Sequence, residues 1–337
     1  MMRLLNTGTG RFEEFIGRNI PKYAILSHTW EDEEVSYKDM TSDQSYQNME
    51  GYRKIKKTCG IALQAGYSYA WVDTCCIDKS SSAELTEAIN SMYKWYQRAE
   101  MCYVFLSDLD SSASLEDTLQ HCKWFTRGWT LQELIAPRTV TFFDQQWNYR
   151  ASKKDMIGKL SMITKIDGTI LDGSQPLSTA SIAQRMSWAS CRETTRIEDE
   201  AYCLLGIFDI NMPLLYGEER KAFRRLQEEI IKSTSDLSIF AWHDPRSKTT
   251  RNPNPRVYCG VLADSPLNFA ESGPFSNLPR RDSWDFSLSN SGVKIQCQIV
   301  SEPIPGKRAY FYLASQSASS LGHTGPSQYP KDIGSLV

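Results

Sequence analysis

Short apolar runs alternate with amphipathic stripes over the first 150 residues. Tyr23-Ala24-Ile25-Leu26-Ser27 reads as a buried strand, and Ile55, Cys59, Ala62 and Leu63, closing at Gly66, fall on one helical face. A second strand is expected at Tyr69-Ala70-Trp71-Val72-Asp73. A second helix follows, with Leu85, Ala88, Ile89, Met92, Tyr93 and Tyr96 on one face and Ser81 and Glu84 placed to form its capping box. Cys102–Ser107 makes a third strand, a helix around residues 130–136 ends at Pro137, and Thr139–Asp144 makes a fourth strand. Continuous apolar strands between amphipathic helices predict an α/β fold, a parallel sheet flanked by helices. Ligands of such sheets bind beyond the carboxyl ends of the strands. Here those ends run into Ser27-His28-Thr29-Trp30-Glu31-Asp32, into Asp73-Thr74-Cys75-Cys76-Ile77-Asp78, and through Ser107-Asp108 toward Trp129 and Glu133.

Beyond residue 150 the pattern changes. Residues 152–243 read as mainly helical: a candidate helix at Ile182–Trp188, a capping-box pattern Thr195-Arg196-Ile197-Glu198 before Ala201–Leu205, and a stripe of Ala222, Phe223, Leu226 and Ile230. Residues 245–337 hold ten of the 14 prolines. The stretch Asp244–Arg256 reads as a linker, followed by short strands at Val257–Leu262, Trp284–Leu288, Val293–Val300 and Ala309–Ala314 and a tail from about Gln316. The expected organisation is an α/β domain over 1–150, a helical extension over 151–244, and a β-rich C-terminal region over 245–337.

Composition narrows the function. The 337 residues carry 38 basic and 40 acidic side chains, a net charge of −2, which argues against binding nucleic acid through phosphate neutralisation. No run approaches the ~20 apolar residues that span a bilayer, and the first residues turn polar too soon for a secretory signal. The nine cysteines are odd in number, make no CxxC, and sit mostly inside apolar runs. They read as reduced, packed thiols in a cytoplasmic protein, and no cysteine–histidine spacing suits a metal.

The usual nucleotide and esterase fingerprints are absent: Thr7-Gly8-Thr9-Gly10-Arg11 lacks the third glycine and a preceding strand, and there is no GxxxxGK[ST] and no GxSxG. Within Trp124–Ile135, Glu133 lies in the first helical turn beside the third strand's carboxyl end. Two roles compete for it: a site carboxylate, or a capping partner of Thr130 that only satisfies backbone amides. His28 with Asp73 and Cys75 or Cys76 would make a nucleophilic set, although their spacing gives that no support. Glu31-Asp32-Glu33-Glu34 reads as a solvated loop, and Asp73 and Asp78 read as turn caps.

Three blocks then carry a resemblance. Tyr23–Trp30, Trp71–Lys79 and Arg127–Leu134 resemble, in order and spacing, the signature blocks of the fungal heterokaryon-incompatibility (HET) domain, and Arg192–Asp199 through Met212–Glu218 resemble the segment that commonly follows it. Glu31 departs from the glycine that many members carry after the tryptophan. The resemblance implies a role in nonself recognition and cell death. HET domains are held to be distant relatives of Toll/interleukin receptor (TIR) domains, which implies a TIR-like, flavodoxin-like sheet. Trp129-Thr130-Leu131-Gln132-Glu133-Leu134 resembles the TIR motif whose glutamate cleaves NAD, so the implied catalytic residue is Glu133. The expected binding residues are Ser27, His28, Trp30, Asp32, Asp73, Arg127 and Trp129: Trp30 or Trp129 for ring stacking, Ser27, Asp32 and Asp73 for ribose hydroxyls, Arg127 for the pyrophosphate. NAD is then a substrate, and no separate cofactor or metal is needed. Expected partners are further copies of the chain on activation and an incompatibility partner protein, with no nucleic acid and no membrane span. The competing expectation is a non-enzymatic death module that works by TIR-like self-association.

Overall fold

The apolar runs form the centre of a seven-stranded sheet in a computed structural model, which describes residues 1–17, 19–42, 44–243, 260–273, 286–289 and 292–295. β1 (Met2–Asn6) and β2 (Phe12–Phe15) make a hairpin ahead of β3 (Ala24–His28). β4 (Tyr69–Trp71), β5 (Met101–Phe105), β6 (Val140–Phe143) and β7 (Tyr149–Ser152) follow. Their order across the sheet is β2-β1-β4-β3-β5-β6-β7. β4, β3, β5 and β6 run parallel, with Ala24 opposite Ala70 and Met101, and Phe105 opposite Phe143. β1 pairs antiparallel with β4 and β2, and β7 pairs antiparallel with β6. The expected parallel sheet is therefore a mixed one. The outer strands escaped the sequence pattern because Phe-Glu-Glu-Phe and Tyr-Arg-Ala-Ser are half-polar edge strands. The Thr7–Gly10 segment is the turn of the first hairpin, where Gly10 takes φ +67°.

Helices cover the sheet. Glu50–Gln64 buries Lys54, Ile55, Thr58, Cys59 and Ala62, whereas Leu63, expected on that face, is exposed. Ser82–Arg98 buries Ala88, Ile89, Met92, Trp95 and Tyr96, and the Ser81 side chain accepts from the Glu84 backbone amide at its start. The Glu84 carboxylate does not return the bond. It accepts from Arg3 and from the Asp78 amide instead. The capping-box expectation at Thr195–Glu198 is also corrected. The helix begins at Asp199 without a side-chain cap, and Glu198 accepts from the amides of Gly217 and Glu219 to hold that loop. A reciprocal box is instead found at Ser181 and Gln184, opening Ile182–Ala189.

The hydrophobic core is continuous from Met2 to Phe269 among the described residues, so the segment after residue 150 packs into the same core as the sheet. β7 itself runs across residue 150. Asn90 on Ser82–Arg98 exchanges two hydrogen bonds with Met212, at 3.0 and 3.2 Å. The helix Leu205–Phe208 crosses Ser82–Arg98 so closely that a Cβ on Gly206 would lie 2.0 Å from Tyr93 Cβ. Helix Lys221–Ser233 buries Phe223, Leu226 and Ile230 as its stripe predicts. Of the expected C-terminal strands, β8 (Phe286–Ser289) and β9 (Gly292–Ile295) form an antiparallel pair. Residues 260–262 are irregular, and 257–259, 309–314, the expected linker and the tail lie outside the described residues.

Gly206→Ala tests this docking. The clash falls on the root of a side chain rather than a flexible end, so overpacking is expected to cost about 2–3 kcal/mol. A lowered urea midpoint with an unchanged slope is the expected outcome, and an unchanged midpoint contradicts the close crossing.

Candidate functional site

Period-two alternation sends Ser27 and His28, the last two residues of β3, to opposite faces of the sheet. On one face, Ser27 Oγ accepts from Trp124 Nε1 at 2.7 Å and donates to Glu133 Oε2 at 2.5 Å. The indole is donor-only, so the serine proton is left to point at the carboxyl. Glu133 reaches this position from the helix Thr130–Ile135, whose first turn is shaped by Thr130. The Thr130 hydroxyl lies 2.5 Å from the Trp124 carbonyl and 2.9 Å from the Arg127 carbonyl. The helix has no side-chain cap. The expected Thr130–Glu133 capping box is thus absent, because both side chains are engaged elsewhere.

Glu133 is 7% exposed. Burial pushes its carboxyl from the ordinary 4.5 up to about 8. The Ser27 hydrogen bond pulls it back, the charge of Asp73 raises it further, and the Tyr96 hydroxyl and Arg192 lower it. Tyr96, fixed by a 3.0 Å bond to the Leu26 carbonyl, lies within hydrogen-bond reach of the same carboxyl.

On the other face, His28 Nε2 lies 3.1 Å from Asp73 Oδ1, and Trp30 Nε1 donates to Asp73 Oδ2 at 2.8 Å. Burial would raise the Asp73 carboxyl, but the bond and charge of His28, the charge of Lys79 and the Trp30 bond hold it at about 2. Asp73 is thus an ionised anchor rather than the turn cap expected, while Asp78 does cap its turn by accepting from the Ser80 amide. Trp30 is 56% exposed, and the Lys79 ammonium sits 3.6 Å over its ring, leaving one face for stacking. The acidic run is partly paired: Lys54 reaches both Glu34 Oε1, at 2.5 Å, and Glu31 Oε2, at 2.9 Å. Glu34 is also 3.8 Å from His28 Nδ1, a buried nitrogen without a hydrogen-bond partner.

The structure therefore gathers Ser27, His28, Trp30, Asp73 and Glu133 at the carboxyl ends of β3 and β4. It does not bring the other three into the cluster. Asp32 is exposed in the turn after β3. Arg127 Nη2 donates to Thr195, and Trp129 Nε1 donates to Asp199, so both serve the contact with the later segment. Gly128 permits that contact, since a Cβ there would meet Thr194 Cγ2 at 2.6 Å. The nucleophilic set is also not formed: Cys75 Sγ faces the Val72 carbonyl, and burial pushes its thiol far up. Among the described residues no group of three or more His, Cys, Asp and Glu suits a metal ion, and no helix is long and apolar enough to cross a membrane. Trp124, Tyr96, Lys54, Glu34 and Arg192 were not legible as site residues. Each is brought to the site by a contact with a distant part of the chain, which local pattern does not show.

Fold and site define an α/β domain whose mixed sheet presents a buried carboxyl at the ends of its parallel strands. Residues 23–121 match the family model described as "Heterokaryon incompatibility protein (HET)", so the chain carries a heterokaryon-incompatibility domain. Residues 221–295 match a second model, "Domain of unknown function (DUF8212)". The chain is similar to "Vegetative incompatibility protein HET-E-1" of Podospora anserina, at 47% identity over 261 residues, 73% of this chain and 19% of that protein. It spans about a fifth of the length of the curated relative it matches. No solved structure matches it.

The raised Glu133 carboxyl makes a stability prediction. The unfolded chain releases this proton near pH 4.5, whereas the folded chain keeps it to about 8. The stability it contributes is fully present below pH 4.5 and is lost as pH rises through about 8. Glu133→Gln stays neutral and loses nothing. Its advantage over the parent chain should grow between pH 5 and 8 to a few kcal/mol, at ~1.4 kcal/mol per unit of pH. Calorimetric unfolding across that range checks it, and a pH-independent difference overturns it.

Proposed function

We propose that this chain acts in heterokaryon incompatibility, the nonself response that kills incompatible fused cells, by hydrolysing the nicotinamide–ribose bond of NAD at Glu133. The family match and the likeness to a protein named for vegetative incompatibility support the biological role. A TIR-related, flavodoxin-like core is part of the proposal. It is supported by the order of the parallel strands, in which the first lies between the second and the third.

One observation carries the chemistry. The Glu133 carboxyl turns away from its own helix amides and into a polar cluster at the strand ends, held by Ser27. Breaking the glycosidic bond sends its electron pair onto the nicotinamide, which leaves neutral. Positive charge then builds on the ribose, water adds to the anomeric carbon, and one proton is released. A carboxylate beside the ribose stabilises that charge, as in glycoside hydrolysis. The cationic nicotinamide ring also favours the ionised form of Glu133 as it enters. Trp30 offers its uncovered face to a ring, and Ser27 and Asp73 offer hydrogen bonds to hydroxyls.

The near-complete covering of Glu133 in a single chain favours a resting state that assembly opens. Concentrated or artificially clustered protein is therefore expected to release nicotinamide from NAD, with activity rising steeply with concentration and increasing toward pH 8 as the carboxylate forms. Glu133→Ala and Glu133→Gln are each expected to lose about 10²–10³-fold in turnover while remaining folded. Full cell death with both variants would instead establish a non-enzymatic module acting by self-association.

A further inference from the structure

The family match ends at residue 121, yet the first turn of the helix that carries Glu133 is gripped by a cation from much later in the chain. Arg192 follows the helix Ile182–Ala189, and its half-buried guanidinium turns inward. Nη1 donates to the Arg127 carbonyl at 2.8 Å and to Thr130 Oγ1 at 2.9 Å, and Nε donates to the Trp188 carbonyl at 3.3 Å. Thr130 is the first residue of the helix that carries Glu133. The contact is reinforced by a backbone bridge: Gly128 N donates to the Glu193 carbonyl at 2.9 Å, and Glu193 N donates to the Thr126 carbonyl at 2.6 Å. Arg192 thus binds two carbonyls and a hydroxyl, and the carboxylate whose charge acts on it is Glu133.

We propose that Arg192 is a positioning residue that sets the ionisation of Glu133, so that the segment following the matched domain completes the candidate site. This rests on the reading of Glu133 as a group that works in its ionised form. The other groups facing Glu133 either donate without charge or oppose its ionisation. Ser27 from β3 supplies a hydrogen bond, and the uncharged Tyr96 hydroxyl from Ser82–Arg98, whose proton goes to the Leu26 carbonyl, lies within reach. Asp73 beyond β4 repels the carboxylate. Cys102 on β5 is a neutral thiol, pushed up by burial and by Glu133 itself. Lys153, whose charge acts on Cys102, is engaged by the carbonyls of Leu134 and Pro137, both at 2.8 Å. Arg192 is therefore the cation through which displacement of the later segment would switch the carboxyl toward its neutral form.

The test follows the Glu133 carboxyl directly, by infrared titration of the band lost in Glu133→Gln, in the full chain and in Arg192→Gln and Arg192→Lys. Arg192→Gln should raise the midpoint by about one pH unit, with any NAD turnover at pH 7 about tenfold lower. Arg192→Lys should keep the parent midpoint. A residue that only ties the later segment down predicts the same midpoint in all three, and that result overturns the proposal. A second measurement needs no Arg192 variant: the side-chain Nε–Hε resonance of Arg192 should titrate with Glu133 in the parent chain and stay flat in Glu133→Gln. A resonance that is flat in both overturns it. A shifted midpoint without NAD turnover supports the coupling and sinks the NAD reading separately.

Discussion

A single proton on Ser27 organises the domain's polar end. Trp124 donates to the serine oxygen, so the hydroxyl must donate onward, and the acceptor within reach is Glu133. This chain of bonds joins the end of β3, the turn before the Thr130 helix and the helix itself. It holds a carboxyl where burial favours the neutral form, against the usual pattern in which buried acids are paired with a cation at contact distance. The strand end serves a second cluster as well. The next residue, His28, points to the opposite face and meets Asp73. The two faces therefore carry carboxyls of opposite character, one held neutral by burial and one held ionised by donors, close enough to influence each other. Pairs of acids driven apart in this way are how one site supplies both a proton-bearing and a charged group.

The later segment belongs to this arrangement physically. It shares the core, crosses the Ser82–Arg98 helix at Gly206, and docks on the turn Arg127–Thr130 through Glu193, Thr195 and Asp199. The residues with the strongest sequence resemblance to a catalytic motif thus divide their work. Glu133 faces the strand ends, while Arg127 and Trp129, three positions and one position before Thr130, fasten the segment that brings Arg192 alongside. A motif read as one functional block is, in three dimensions, both the carrier of the candidate carboxyl and a docking contact.

Much of the framework was legible because it follows from local pattern. The parallel strands were read from continuous apolar runs, and the long helices from their stripes, to within one or two residues at most ends. The polar outer strands β2 and β7 were not, since an edge strand with one face in water has no continuous apolar signature. Cap chemistry was the least transferable. Thr130-x-x-Glu133 and Thr195-x-x-Glu198 both fit a capping box in one dimension, yet all four side chains have partners elsewhere. One box that does form, Ser181 with Gln184, precedes a helix whose position the sequence did reveal.

By itself, the sequence determined the α/β character, the strand ends that meet at one rim, and the residue types gathered there, because periodicity and alternation are properties of neighbouring positions. Only the tertiary structure decided which way the Glu133 carboxyl faces, that Asp73 rather than a cysteine engages His28, and that Arg127 and Trp129 serve a docking contact. Those choices are made by groups more than 40 residues apart in the chain, such as Ser27 with Glu133, His28 with Asp73 and Arg192 with Thr130. Burial and hydrogen-bond competition between distant segments leave no trace in local spacing.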